Sequence, residues 1–387
     1  TIMPGQSVNL SFFVSNATSL VLNPGNINVL GKSSFSVMPS ATTTYSLTAS
    51  NSGGSVSASK AITVSAPTAS LMPFVDITRI MTPAVGYSQF MIYPIPDYYV
   101  GTPSWTPGEN SDVGAFRTVC SPSHMSFDDP IVFPGQPGKA HLHSFFGNTK
   151  TDAYSTTDSL LAGGNSTCRG GIANRSAYWM PTMIDTLDGR PIQARSLIVY
   201  YKTGYNNIPL SSFSNIPKGI HLLAGNSKAT TAAEALDYRS VFKCIGINTD
   251  ANYGYTKEIV NCKYGEELWQ GITFPQCWNG VDLDSPDHKS HMSYVNEQGL
   301  CPSTHPVPLP EVTFNLIYTV GANDDLSRWR LSSDNYDKSL PGGYSNHGDW
   351  MFGWQQDIAD AWMQNCDRAK RDCQAHLLGD GRYMEGP

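Results

Sequence analysis

The chain has 387 residues with a formal net charge of −7, and only 15% of its residues are charged. With 25 basic side chains scattered among 32 acidic ones and no Lys/Arg run, it offers no footprint for nucleic acid or an anionic membrane surface. No stretch approaches the ~18 consecutive apolar residues of a bilayer-spanning helix, and the length exceeds one ordinary core, so two domains are expected.

Residues 1–65 carry only two charged side chains, Lys32 and Lys60. They read as short alternating runs, such as Ser7-Val8-Asn9-Leu10-Ser11-Phe12 and Tyr45-Ser46-Leu47-Thr48-Ala49. Alternation at period two marks half-buried strands. Turn signals at Asn23-Pro24-Gly25-Asn26 and Asn51-Ser52-Gly53-Gly54 separate the runs, so a seven-stranded sandwich is expected. Pro4-Gly5-Gln6-Ser7-Val8, Val14-Ser15-Asn16-Ala17-Thr18, Pro39-Ser40-Ala41-Thr42-Thr43-Thr44-Tyr45 and Ala61-Ile62-Thr63-Val64 resemble the tandem Ig-like modules of bacterial surface proteins. The resemblance implies a module that starts inside its first strand, with further repeats or processing upstream.

A small-residue linker is expected at 66–73, after which aromatic, charged and cysteine residues all become frequent. Residues 74–387 are read as one large β domain of sandwich or jelly-roll type, giving an all-β-dominated chain. Ser196-Leu197-Ile198-Val199-Tyr200-Tyr201 and Val312-Thr313-Phe314-Asn315-Leu316-Ile317-Tyr318 are its clearest strands. Apolar residues at Met351, Trp354, Ile358, Ala361, Trp362 and Cys366 predict one amphipathic C-terminal helix over 350–373. Eight cysteines, Cys120, Cys168, Cys244, Cys262, Cys277, Cys301, Cys366 and Cys373, all lie in this domain without a CxxC spacing. Four disulfides are expected, hence a secreted or cell-surface setting, although eight cysteines admit 105 pairings.

All nine histidines also lie beyond the first module. His141-Leu142-His143, if extended, sends both imidazoles to one face, as a metal pair or an acid/base pair requires. Asp284-Ser285-Pro286-Asp287-His288-Lys289-Ser290-His291 adds two imidazoles and carboxylates in a loop, while His305 and His347 sit in further turns. Arg117, Lys139, Arg169 and Arg175 are candidate partners for anions. Tyr178, Trp179, Trp269, Trp278 and Trp350 are candidate stacking platforms for sugar rings, with buried packing as the alternative.

The run from Asp128-Asp129-Pro130 through His141-Leu142-His143-Ser144-Phe145-Phe146-Gly147-Asn148 is similar to the signature of a secreted family known only as a domain of unknown function. Cys168-Arg169-Gly170-Gly171, Asn174-Arg175-Ser176-Ala177-Tyr178-Trp179, Phe274-Pro275-Gln276-Cys277-Trp278, the 284–291 loop, Cys301-Pro302-Ser303-Thr304-His305-Pro306 and His347-Gly348-Asp349-Trp350 continue the resemblance. Fungal members of that family often accompany WSC carbohydrate-binding modules, so the resemblance implies an extracellular protein whose partner is a polysaccharide or other glycan.

Two functional classes follow. As an enzyme, the chain cleaves polysaccharide as a lyase, with His143 or His291 as base and Arg175 neutralising a uronate, or as a hydrolase with Asp287 and Asp349 as the carboxylate pair. A metal-dependent form would draw its divalent ion's ligands from His141, His143, His288, His291, His305 and His347, expected to line one cleft. The competing class is a non-catalytic surface, adhesion or filament-forming protein whose partners are glycan, neighbouring copies or upstream Ig-like repeats.

Overall fold

The computed structural model describes residues 7–39, 41–64, 71–96, 113–204, 206–236, 239–246 and 254–387. The chain divides into two compact units, residues 1–70 and 71–387. Up to Ser70 the expected 66–73 linker lies outside the described residues.

In the first unit the predicted alternation forms strands. Ser19–Asn23, Ile27–Asn28, Thr43–Asn51 and Gly54–Ile62 make a four-stranded sheet, and Val8–Ser11 pairs with Ser34–Val37 as a separate ribbon. Leu20, Leu22, Val29, Val37 and Tyr45 are its buried core. Six strands, rather than seven, are formed among the described residues of this unit.

The second unit is built on two five-stranded antiparallel sheets. One has the order His221–Gly225, His347–Met351, Ala177–Pro181, His143–Gly147, Pro122–Ser126. The other has the order Ser240–Ile245, Glu267–Thr273, Glu311–Thr319, Ser196–Thr203, Gly114–Cys120. Alternate residues of both meet in one core: Phe146, Tyr178, Leu222 and Trp350 from the first, Phe116, Tyr201, Leu268 and Phe314 from the second. Tyr178 and Phe314 meet edge to face at 5.5 Å, and Tyr201 and Trp350 at 5.9 Å. Gly348 is the inward residue between His347 and Asp349. A Cβ there would stand 2.9 Å from Ile272, so glycine permits the close approach of the sheets at this strand.

All eight cysteines are paired, as Cys120–Cys168, Cys244–Cys262, Cys277–Cys301 and Cys366–Cys373. Cys277–Cys301 closes the segment that carries His288 and His291, a 24-residue separation whose constraint contributes about 3 kcal/mol on loop-closure arguments.

The C-terminal helix is shorter than its sequence pattern. His347–Met351 is a strand, and the helix runs over Gln356–Trp362 before a π-helical turn at Met363–Asp367. Met351 and Trp354 stand three apart, a helical spacing, yet Met351 lies in the strand and Trp354 beyond it. Pairing of the strand with both neighbours decides the matter for Met351. Gly353 then passes so close to the Arg175 backbone that a Cβ would meet it at 2.4 Å. Ile358, Ala359, Trp362, Met363 and Cys366 form the buried stripe that remains. Among the described residues no helix is long and apolar enough to cross a membrane.

We expect no thiol of the native, unreduced protein to react with an alkylating reagent, read as an unchanged intact mass; labelling of two or more cysteines would contradict the four pairs. We further propose that residues 71–387 fold alone. That fragment should show a cooperative unfolding transition, whereas its absence in the fragment alone would mean that the first unit belongs to the same core.

Candidate metal centre

The outward face of the first sheet carries the site. His143 and His347 lie on the two strands flanking Ala177–Pro181, so their backbones stand about 10 Å apart at the usual strand spacing. Two imidazoles projecting from the same face close that gap. The next row along the sheet is aromatic. Asp349 is opposite Trp179, Trp179 opposite Phe145 and Phe145 opposite His124, with Phe145 stacked on Trp179 at 5.5 Å and on His124 at 4.7 Å. This row stands beside the histidines on the same face, Phe145 meeting the His143 ring edge to face at 6.1 Å.

The ring of His143 is wholly buried and that of His347 nearly so, while His141 is partly exposed. His143 Nδ1 lies 2.9 Å from the Asp128 carbonyl and His347 Nδ1 lies 2.7 Å from the Ser345 carbonyl. A carbonyl only accepts, so both Nδ1 atoms carry the proton and both Nε2 atoms carry a lone pair. Those lone pairs face one another at 3.5 Å, and His141 Nε2 joins them 3.1 Å from His347 Nε2. Donors bound at the usual zinc–imidazole length stand about 3.3 Å apart around a tetrahedral ion. Two of the three separations are therefore those a bound transition ion requires, all three donor atoms lie within 4.8 Å of one another, and backbone carbonyls set the orientations of His143 and His347, as in metal sites generally.

Two carboxylates adjoin them. Asp129 Oδ1 accepts from the backbone of Ile131 and Val132, 3.0 and 2.9 Å away, which fixes the turn after the Asp128-Asp129 pair. Asp349 is 1% exposed, and its Oδ2 is buried without a hydrogen-bond partner. Ligand atoms of Asp129, His143 and Asp349 all fall within 4.8 Å of one another, as do those of His141, His143 and His347. Burial raises the Asp129 carboxyl and raises that of Asp349 well above the usual range, and Asp129 adds to the latter effect. The imidazoles move the other way. Burial lowers His143 to about 4 and His347 to about 3, and holds His141 well below its ordinary value. All three are thus neutral, with free lone pairs, at neutral pH.

The expected single cleft of six histidines divides. His141, His143 and His347 meet, whereas His288, His291 and His305 belong to the 284–305 loops. His288 Nδ1 bonds Asp284, itself within 3.2 Å of His221 Nδ1. His291 is buried with Nε2 on the His221 carbonyl at 2.8 Å and Nδ1 on Ser285 Oγ at 3.0 Å. Both its nitrogens have partners, so the ring pins the loop. His305 bonds Thr304 Oγ1 and the Ser290 carbonyl.

Arg175 does not face the cluster: its guanidinium donates to the carbonyls of Gly164 and Leu161, tying down the end of helix Thr157–Ala162. Asp287 is a turn residue. It accepts from Ser285 Oγ, Ser290 Oγ and the backbone of Lys289 and Ser290, bonds that hold its carboxyl well below the usual range. It forms no pair with Asp349, whose neighbouring carboxylate is Asp129. Tyr178, Trp179 and Trp350 are fully buried, which removes them as sugar platforms and leaves Trp269 and Trp278 partly exposed. Asp129 is the residue that sequence reasoning passed over, although the acidic pair before Pro130 is a turn signal lying 12 residues ahead of the histidine pair.

The sign of the acid response follows from these shifts. Unfolded histidines protonate near pH 6.5, and in the folded protein His143 and His347 resist until about 4 and 3. At these two side chains the unfolded chain binds more protons between those limits, so they contribute a loss of stability as pH falls from 6.5 toward 4, by up to ~1.4 kcal/mol per pH unit for each proton, against the opposite contribution of the raised Asp129 and Asp349 carboxyls. Urea midpoints across that range should fall more steeply with acid in the wild type than after His143 and His347 are together replaced by Gln. An unchanged slope in the double variant would contradict the assignment.

Comparison with known proteins places this centre in a family context. No curated protein and no solved structure matches the chain. A family model described as a domain of unknown function, DUF1996, matches residues 129–354, more than half of the chain. The matched span begins at Asp129 and includes His141, His143, His347 and Asp349. The chain belongs to the DUF1996 family.

Proposed function

We propose that the chain is an extracellular, carbohydrate-active protein in which His141, His143 and His347 hold a divalent transition ion used to hydrolyse polysaccharide. The observation that carries this reading is the opposition of two buried lone pairs, on His143 and His347, with both Nδ1 protons already committed to carbonyls. The two lone pairs repel one another, and a cation among the three rings satisfies both at once, whereas a proton on His141 Nε2, 3.1 Å from His347 Nε2, satisfies only that one. An all-nitrogen donor set suits zinc, copper or nickel better than magnesium or calcium.

Bound there, the ion supplies Lewis acidity toward a water or a substrate oxygen. The chain's own residues do the rest. The Asp128 and Ser345 carbonyls orient two of the rings, Phe145 and Trp179 close the buried side next to His143, and the partly exposed His141 is the side open to substrate. Hydrolysis is favoured over elimination because the one lone pair of His143, on Nε2, is given to the ion in this reading and His291 has partners on both ring nitrogens. Four disulfides suit an oxidising compartment. The glycan assignment rests on the family resemblance in the sequence, and residues 1–65 are read as an Ig-like spacer.

Stripping the protein with chelator and dialysing it against zinc should restore bound metal, raise the melting temperature and permit release of reducing ends from a polysaccharide panel. His347→Asn should lose the restored metal and the cleavage together. Metal uptake without cleavage of any polysaccharide would favour the non-catalytic surface role, and no uptake at all would overturn the centre itself.

A further inference from the structure

Three imidazoles do not account for Asp349. A carboxylate oxygen buried without a donor is costly wherever it stands. Here it is Oδ2 of a residue 1% exposed, set beside Trp179 on the apolar row of the sheet. Its neighbour is another buried carboxylate, Asp129, and with one atom of His143 the two form a group whose ligand atoms all lie within 4.8 Å. Asp129 has two backbone N–H donors on Oδ1, so its position is built into the turn rather than borrowed from the cluster.

We propose a second cation position, between Asp129 and Asp349 and adjoining the three-histidine centre, so that the site holds two divalent ions. The inference rests on reading His141, His143 and His347 as a metal site. His143 shows why the two positions are distinct. Its Nδ1 donates to the Asp128 carbonyl, so only Nε2 remains to bind, and one lone pair serves one ion. Carboxylate oxygens are not limited in this way, because each carboxylate has two of them and can bridge. The second position therefore draws on Asp129 and Asp349 and is oxygen-rich, which favours a harder cation than the nitrogen position does. Paired ions of this kind stand about 3.5–4 Å apart, a span over which a carboxylate reaches both.

The test counts ions and does not depend on turnover. Chelator-stripped full-length protein is saturated with Co²⁺, freed of excess, and its metal-to-protein ratio is measured together with its electron paramagnetic resonance spectrum. Two equivalents with spin coupling are expected for the wild type, and one uncoupled equivalent for Asp349→Asn, which keeps the histidines and the side-chain shape. A single uncoupled equivalent in the wild type would overturn the second position while leaving the histidine centre standing. No bound cobalt in the wild type would instead overturn the histidine centre. Should Asp349→Asn fail to fold, the wild-type ratio and spectrum decide the matter alone.

Discussion

Two imidazoles that point bare lone pairs at one another inside a protein set the terms for everything around them. His143 and His347 have each given their one proton to a backbone carbonyl, so across the 3.5 Å between their Nε2 atoms neither ring donates to the other, and His141 Nε2, 3.1 Å from His347 Nε2, is the one ring nitrogen beside them that could carry a proton. The cost of that contact is the reason to look for a cation. It also explains why the surroundings are so fully determined. Rings free to turn would relieve the repulsion by rotating, and here each is held by its carbonyl and by strand pairing, His143 also by the neighbouring Phe145 ring.

The lock on His347 extends well beyond the strand. Its Nδ1 depends on the Ser345 carbonyl, and Ser345 is held through its backbone and hydroxyl by the carboxylate of Asp334. Asp334 is buried and also accepts from the backbone of Leu331 and Gly343, gathering the whole 331–345 loop around one carboxylate. Asn346, next in line, is pinned by Ser240, Gly271 and Gln270 on the opposite sheet. Gly348 completes the set by letting the two sheets approach directly behind the site. A ring so supported moves little, which favours tight and geometrically selective binding.

Part of this was legible in the sequence. The His141-Leu142-His143 spacing is a local signal, and extended backbone puts both rings on one face whatever the rest of the chain does. The abundance of β structure, the change in composition near residue 70 and the pairing of all eight cysteines are likewise properties of composition and short-range pattern. His347 was marked only as one of several histidines in turns. That it meets His143 depends on strand order, since residues more than 200 positions apart become neighbours by flanking the same central strand. Local density pointed the wrong way at 284–291, where the histidines serve the loop's own hydrogen bonding through Asp284, Ser285 and the His221 carbonyl. The overlong helix has the same origin: the spacing of Met351 and Trp354 fits a helix, and only pairing with Ala177 and His221 shows Met351 to be a strand residue.

The central claim concerns what lies between three nitrogen atoms, and X-ray absorption at the zinc edge of the zinc-loaded protein addresses it most directly. The account predicts three imidazole nitrogens at about 2.0 Å, with the outer-shell pattern of histidine rings and no sulfur. A first shell made only of oxygen atoms, or one with fewer than two imidazoles, would contradict it.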